Sequence, residues 1–211
     1  LGTGFYLACL LSAHTQLSAA PILLDSEGIN FAPFNQQAAS ENLTLEIDDF
    51  NQLTTLDYED YGNQLARTDY TITSRVRLRS TTVLNVIEGA VSMIQYNNSD
   101  PLTFIFDSPI NAFAVAFRDL DMGPFSEFRV SIDGGPKMVL TNVPAQINSD
   151  YTYGIIDTET AFTTISFDRS EADGYEFDLV TYGAVPEPGS LVAYSLAAML
   201  GLHRKKHVSG T

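Results

Sequence analysis

Residues 102–117, LTFIFDSPINAFAVAF, hold two strongly apolar segments with a polar tripeptide between them. Residues 102–106 and 110–117 are apolar at nearly every position, which is typical of central strands that are covered on both faces. Residues 107–109, Asp-Ser-Pro, are turn formers. The stretch therefore predicts two buried strands joined by a turn.

Around this stretch, apolar and polar residues alternate with period two. Apolar or small residues occupy every second position over 72–78 and again over 128–132, a spacing that places them on one face of a strand. Clusters of Asp, Asn, Gly, Ser and Pro separate the runs. Helix-period runs of useful length are absent outside the two ends. The sequence predicts an all-β fold, an antiparallel β-sandwich of about eight to ten strands.

The charge of the chain excludes one class of partner. Its 211 residues, enough for one domain, include 26 acidic and 11 basic side chains, a formal charge of −15. Residues 21–183 alone hold 25 acidic and eight basic side chains, a formal charge of −17. Because such a surface repels phosphate groups, we expect no nucleic-acid partner.

The rare residues lie at the ends of the chain. Cys9 and His14 stand near the start, and His203 and His207 near the finish. Without His or Cys, the central body offers neither a Ser-His-Asp or Cys-His nucleophilic site nor the usual zinc and copper ligands. Carboxylate chemistry remains, either a glycosidase with two carboxylates or an oxygen-ligand site for Ca²⁺.

The residue patterns at both ends of the chain predict targeting segments. Residues 4–11, GFYLACLL, and the small residues 18–20 predict a signal peptide over 1–20 with an apolar helix, the alternative being an apolar first strand. After 185–190, VPEPGS, the apolar residues 191–202 precede the basic cluster 204–206. This order predicts a membrane-anchored tail. Its helix would be about 20 Å long, so it would span the bilayer only with local thinning.

The tail resembles the PEP-CTERM sorting signal of Gram-negative bacteria. The shared features are the sorting motif, the apolar segment and the basic membrane stop, which here are Pro186, Glu187 and Pro188, residues 191–202, and Arg204, Lys205 and Lys206. The resemblance implies that an exosortase-like enzyme processes the chain. An inner-membrane-anchored intermediate would then be released to the cell surface or the exopolysaccharide matrix. The alternative is a Pro-rich linker before an ordinary tail anchor.

The implied organisation has three parts. They are a signal peptide over 1–20, a β-sandwich over 21–183 and a sorting signal over 184–211. Within the body, segments such as 162–167 and 173–178 look like the closing strands of jelly-roll domains found in front of such signals. The predicted sandwich is accordingly jelly-roll-like.

The jelly-roll resemblance also implies a structural calcium site, because similar modules hold the ion between an early strand and the last strand. The candidate ligands are Asp48, Asp49 and Asp178, with Asp173 and Glu176 as substitutes. Carboxylates are the ligands that Ca²⁺ prefers. The alternative is that these are solvated carboxylates at strand ends.

Two groups of residues are candidates for glycan binding. In a long loop over 50–70, tyrosine rings could stack on a sugar while carboxylates accept its hydroxyls; the residues are Asp57, Tyr58, Asp60 and Tyr61. The alternative to glycan binding by these residues is a solvated loop whose tyrosines pack on the end of the sandwich.

Three arginines with a spacing of two would share one strand face and suit an acidic polysaccharide. They are Arg75, Arg77 and Arg79. Their alternative is cross-strand pairing with acids.

The sequence thus predicts an exported, non-enzymatic protein of the cell surface or extracellular matrix. We expect it to bind glycan and to be stabilised by Ca²⁺. The alternative function is a carbohydrate-active enzyme that uses a carboxylate pair.

Overall fold

The computed structural model describes residues 21–53, 60–75, 78–81, 87, 92–95, 101–120, 127–144, 149–169 and 175–185. The predicted signal peptide over 1–20 therefore lies outside the described residues. So do the sorting motif Pro186, Glu187 and Pro188, the apolar segment 191–202 and the membrane stop Arg204, Lys205 and Lys206. Among the described residues, no helix has the length and hydropathy needed to cross a membrane.

The described chain forms two antiparallel sheets and one short helix, which confirms the predicted antiparallel two-sheet fold. In chain order, the elements are β1 (Ile22–Glu27), α1 (Ala32–Ser40), β2 (Thr44–Asp48), β3 (Gln64–Ala66), β4 (Tyr70–Thr73), β5 (Leu78–Thr81), β6 (Ser92–Gln95), β7 (Leu102–Ile110), β8 (Ala112–Arg118), β9 (Phe128–Ile132), β10 (Met138–Val139), β11 (Asp150–Ile156), β12 (Phe162–Arg169) and β13 (Tyr175–Ala184).

Strand β13 organises the first sheet. Sheet A has the order β1-β11-β8-β13-β6-β5, and β2 also pairs with β13. The first half of β13 pairs with β6 and its second half with β2, while β8 lies along its other edge. Sheet B has the order β10-β9-β12-β7-β4-β3.

The main core lies between the two sheets and is rich in aromatic rings. Phe104 of sheet B lies 5.1 Å from Phe113 of sheet A, and Phe167 of sheet B lies 5.0 Å from Phe117 of sheet A, measured between ring centroids. All four side chains are fully buried. These contacts between sheets account for the strongly apolar character of the central strands.

Strand β8 is buried on both faces because a helix covers its outer side. Its large residues, such as Phe113, face the main core, whereas Ala112 and Ala114 pack with Phe34 and Ala38 of α1. The ring of Phe34 fits over Gly154 of β11 so closely that a Cβ there would lie 2.7 Å from its Cδ2. Small residues on the outer side of sheet A thus make room for the helix.

The structure corrects the prediction that no helix lies between the ends. In α1, Pro33 stands in the first turn, where its fixed φ suits a helix. Phe34 and Ala38, four residues apart, are its buried side chains. Nine residues with two buried positions are too few to produce a visible helical period in the sequence.

Two predicted boundaries also differ. The run expected as one strand over 72–78 is divided between β4 in sheet B and β5 in sheet A. The turn expected at 107–109 lies within β7. There the pairing with β12 shifts from Phe162 opposite Ile110 to Thr164 opposite Ile105, so β7 bulges outward.

Candidate functional site

A cleft of about 310 Å³ opens where this bulge of β7 faces the ends of β2 and β13. Both sheets contribute to it. Its lining residues are Thr44, Glu46, Asp69, Phe106, Asp107, Ser108, Pro109, Ile110, Tyr182, Gly183 and Ala184.

Strand pairing brings the polar residues of the cleft together. Glu46 of β2 lies directly opposite Tyr182 of β13 in the antiparallel register. In sheet B, the backbone N–H of Asp107 donates to the carbonyl oxygen of Asp69 at 2.9 Å. Three carboxylates from distant parts of the sequence therefore line one opening.

Tyr182 has a fixed position in the cleft. Its ring packs against Tyr70 and Phe106, with centroid distances of 5.5 and 5.4 Å. Its hydroxyl lies 2.8 Å from Asp69 Oδ2 and 3.2 Å from Glu46 Oε2. Burial raises the pKa of Tyr182, and the charges of Asp69 and Glu46 and their hydrogen bonds raise it further. The phenol therefore stays neutral and acts as a donor.

The cleft holds more hydrogen-bond acceptors than donors. The single phenolic hydrogen of Tyr182 can be donated to one of its two carboxylate neighbours at a time. The exposed carboxylate of Asp107 has no hydrogen bond or ion pair to any described residue. A ligand rich in O–H or N–H groups would satisfy the acceptors that remain.

A cluster of buried polar groups contacts the cleft through Tyr70, whose ring packs against Tyr182. Arg67 binds both oxygens of Asp48, with Nε to Oδ2 at 2.6 Å and Nη2 to Oδ1 at 2.7 Å. Tyr70, which packs against Tyr182, donates its hydroxyl to Asp48 Oδ2 at 2.8 Å. Burial would raise the pKa of Asp48, but the hydrogen bonds from Arg67 and Tyr70 and the guanidinium charge hold it below its usual value.

The calcium candidates have other roles in the structure. Asp48 is held by Arg67, and Asp49 accepts from the backbone N–H and side-chain amide of Asn51. Asp178 is fully buried and accepts from Ser92 Oγ at 3.0 Å and from the N–H of Leu179 at 2.7 Å.

Among the described residues, no group of three or more His, Cys, Asp or Glu side chains is placed to hold a metal ion. Of the two substitutes, Asp173 lies outside the described residues, and Glu176 is buried on β13 opposite Arg118 of β8. Calcium binding stays a prediction that the described geometry does not support.

The glycan candidates of the predicted loop are only partly described. Asp57 and Tyr58 lie outside the described residues. Asp60 forms an isolated β-bridge and a 3.9 Å ion pair with Arg79, and Tyr61 packs half-buried against the main core. The described half of this group therefore matches the alternative in which the loop packs on the sandwich.

Two of the three arginines predicted to share a strand face are described, and they lie at different sheets. Arg77 lies outside the described residues, and Arg75 follows β4 in sheet B, whereas Arg79 belongs to β5 in sheet A. The ion pair of Arg79 with Asp60 agrees with the alternative of pairing with acids.

Sequence reasoning missed the residues that line the cleft. Glu46, Asp69, Asp107 and Tyr182 come from four strands or strand starts that only the topology joins. The available signal was the placement of acids next to buried aromatics, as in Asp69-Tyr70 and Phe106-Asp107.

Neither a protein-family model nor a curated protein matches this chain. Solved structures with some similarity include a mutant of CBM29-2, a family 29 carbohydrate-binding module, with a TM-score of 0.37, 10% identity, and coverage of 67% of this chain and 92% of that one. A second CBM29-2 mutant, complexed with mannohexaose, has a TM-score of 0.35, 9% identity and the same coverages.

A third similar structure contains the CBM22-1 and GH10 modules of Clostridium thermocellum xylanase Xyn10B complexed with xylohexaose. Its TM-score is 0.35 and its identity 16%, and the match covers 63% of this chain and 29% of that one. At these low TM-scores and identities, the function of the present chain has to be argued from its own residues.

Proposed function

We propose that this protein binds glycans through the cleft between β2, β7 and β13. The observation that carries the proposal is Tyr182, whose ring lines the cleft while its hydroxyl is held between Asp69 and Glu46. Sugars combine apolar C–H faces with many hydroxyl donors, and the cleft offers an aromatic ring beside surplus acceptors. Its volume, about 310 Å³, is at the lower end of ligand pockets and suits a short segment of a chain.

The binding proposal is tested with the full chain on a broad glycan array, followed by calorimetry with the best ligand. Tyr182→Ala removes the ring and should weaken binding about tenfold or more. Tyr182→Phe keeps the ring and should have a smaller effect. Tyr61→Ala is the matched control, because Tyr61 packs on the core away from the cleft lining. An empty array, or binding that depends on Tyr61 and not on Tyr182, would refute the assignment.

The alternative function, an enzyme with a carboxylate pair, predicts cleavage of the bound polysaccharide. If the cleft only binds, incubation with a bound polysaccharide should release no reducing ends. Release that disappears in Glu46→Gln or Asp69→Asn would favour the enzyme instead.

We further propose that the protein acts outside the cytoplasm of a Gram-negative bacterium, at the cell surface or in the exopolysaccharide matrix. The PEP-CTERM-like tail is the support for this proposal, with an exosortase-like enzyme as the processing partner. Strand β13 ends at Ala184, one residue beyond the predicted end of the sandwich at 183, and the N–H of Val185 donates to Asn111 Oδ1 at 3.0 Å.

Replacement of Pro186, Glu187 and Pro188 by alanine tests the sorting proposal in the native host. The unprocessed form should accumulate in the membrane fraction, whereas a Glu159→Gln control should be processed normally. Normal processing of the triple variant would contradict the proposal.

A further inference from the structure

The charge of the cleft distinguishes between classes of glycan. Glu46, Asp69 and Asp107 line it, and none of its lining residues is basic. Two of these carboxylates share the hydroxyl of Tyr182, whereas Asp107 has no side-chain partner among the described residues. An anionic sugar would face three like charges here, so uronic acid polymers are disfavoured.

From this we infer, on the basis of the proposed glycan-binding function, that the cleft prefers glycans with free amino groups, that is, amino sugars without their N-acetyl group. A protonated amine brings a positive charge and three N–H donors in one group. It would donate to Asp107 and to the acceptor sites of Glu46 and Asp69 that the single hydroxyl of Tyr182 leaves open. A hydroxyl at the same position provides one donor without charge, and an acetamide provides one donor with added bulk.

The preference should be modest and sensitive to salt. Asp107 is exposed, so its attraction for an ammonium group is screened by solvent. We expect a three- to fivefold advantage for the free amine, about the effect of an exposed ion pair. The advantage should shrink as the salt concentration rises from about 0.05 to 0.5 M.

Three hexasaccharides with the same β-1,4 backbone isolate the amino group. Cellohexaose carries a hydroxyl at C2, the N-acetylglucosamine hexamer an acetamide, and the glucosamine hexamer a free amine. Binding of each to the full chain is measured by calorimetry at about pH 6, where the amine of the glucosamine hexamer carries a positive charge. Asp107→Asn should remove most of the advantage of the amine. Glu27→Gln, on the distant strand β1, makes the same change in net charge and should leave the advantage intact.

The outcomes separate this inference from the proposed function. The inference is supported if the protein prefers the amine, if Asp107→Asn removes this preference and if Glu27→Gln retains it. Equal binding of the three hexamers, tighter binding of an uncharged one, or equal losses in both variants overturns it. If none of the hexamers binds but the array shows another glycan without amines, the inference falls and glycan binding stands. An empty array and no hexamer binding overturn both.

Discussion

Arg67 donates hydrogen bonds to both carboxylate oxygens of Asp48, although the two residues are 19 positions apart in the sequence. This ion pair ties the end of β2 in sheet A to the segment that enters β4 in sheet B. Both side chains are largely buried, with 13% and 14% of their surface exposed for Arg67 and Asp48. The pair therefore fixes the relative position of the two walls of the cleft.

Asp48→Asn should lower the free energy of unfolding by about 2 kcal/mol, because it removes the charge partner of a largely buried guanidinium. Urea denaturation measures the change. Asp49→Asn is the matched control, since the side chain of Asp49 accepts hydrogen bonds only from Asn51 among the described residues. This substitution should cost less than about 0.5 kcal/mol. Equal losses in the two variants would show that the Arg67 pair contributes nothing special.

The stability contributed by Asp48 should depend on pH. Its pKa in the folded protein is lowered, so its contribution is complete above the unfolded value of about 3.9 and is lost as pH falls through the folded value. The difference in unfolding free energy between the wild type and Asp48→Asn should be constant near neutrality and shrink below about pH 4. Urea midpoints measured across this range test it, and a difference that grows on acidification would have the wrong sign.

Half of the ten tyrosines should resist ionisation in the folded protein. Burial raises the pKa of each of five phenols, namely Tyr70, Tyr151, Tyr153, Tyr175 and Tyr182. The stability linked to them is complete below the unfolded pKa of about 10 and is lost as pH rises beyond it. Phenolate absorbance should therefore show these five ionising only together with alkaline unfolding. Ionisation of all ten near pH 10 with the fold intact, checked by circular dichroism, would contradict this.

Gly183→Ala should disturb the cleft and the fold together. A Cβ at Gly183 would overlap the carbonyl oxygen of Thr44 on the paired strand β2. Because backbone cannot move aside as a side chain can, we expect a loss of about 2 kcal/mol or more and weaker glycan binding through displacement of Glu46. Ala184→Ser, at the next and exposed position, is the control for stability and should unfold like the wild type. An unchanged melting temperature in Gly183→Ala would show that β2 is not held tightly there.

The sequence was informative where one periodicity dominated. Alternation over 128–132 and the apolar run over 110–117 correspond to β9 and β8 because burial on one face or on both leaves a direct mark on residue type. The division of 72–78 between two sheets left no such mark. The residue pattern alternates through the end of β4 and the start of β5, and only the partner strands show that the two belong to different sheets.

The site was harder to predict than the fold for a related reason. Glu46 and Tyr182 are 136 residues apart and meet only because β2 pairs with β13. The jelly-roll resemblance implies a calcium ligand at Asp48, yet the partner of Asp48 is Arg67, which lies in the connection between β3 and β4. Pair contacts of this kind depend on topology, which composition and spacing do not encode.

The position of β13 has a mechanical consequence. Antiparallel hydrogen bonds run perpendicular to their strands, and β13 is bonded to β8 along one edge and to β6 and β2 along the other. Tension applied through the chain after Val185 would act along the axis of β13 and load these bonds in shear, all at once. The strand that shapes the cleft is thus also the one that would resist a pull applied at its own C-terminal end.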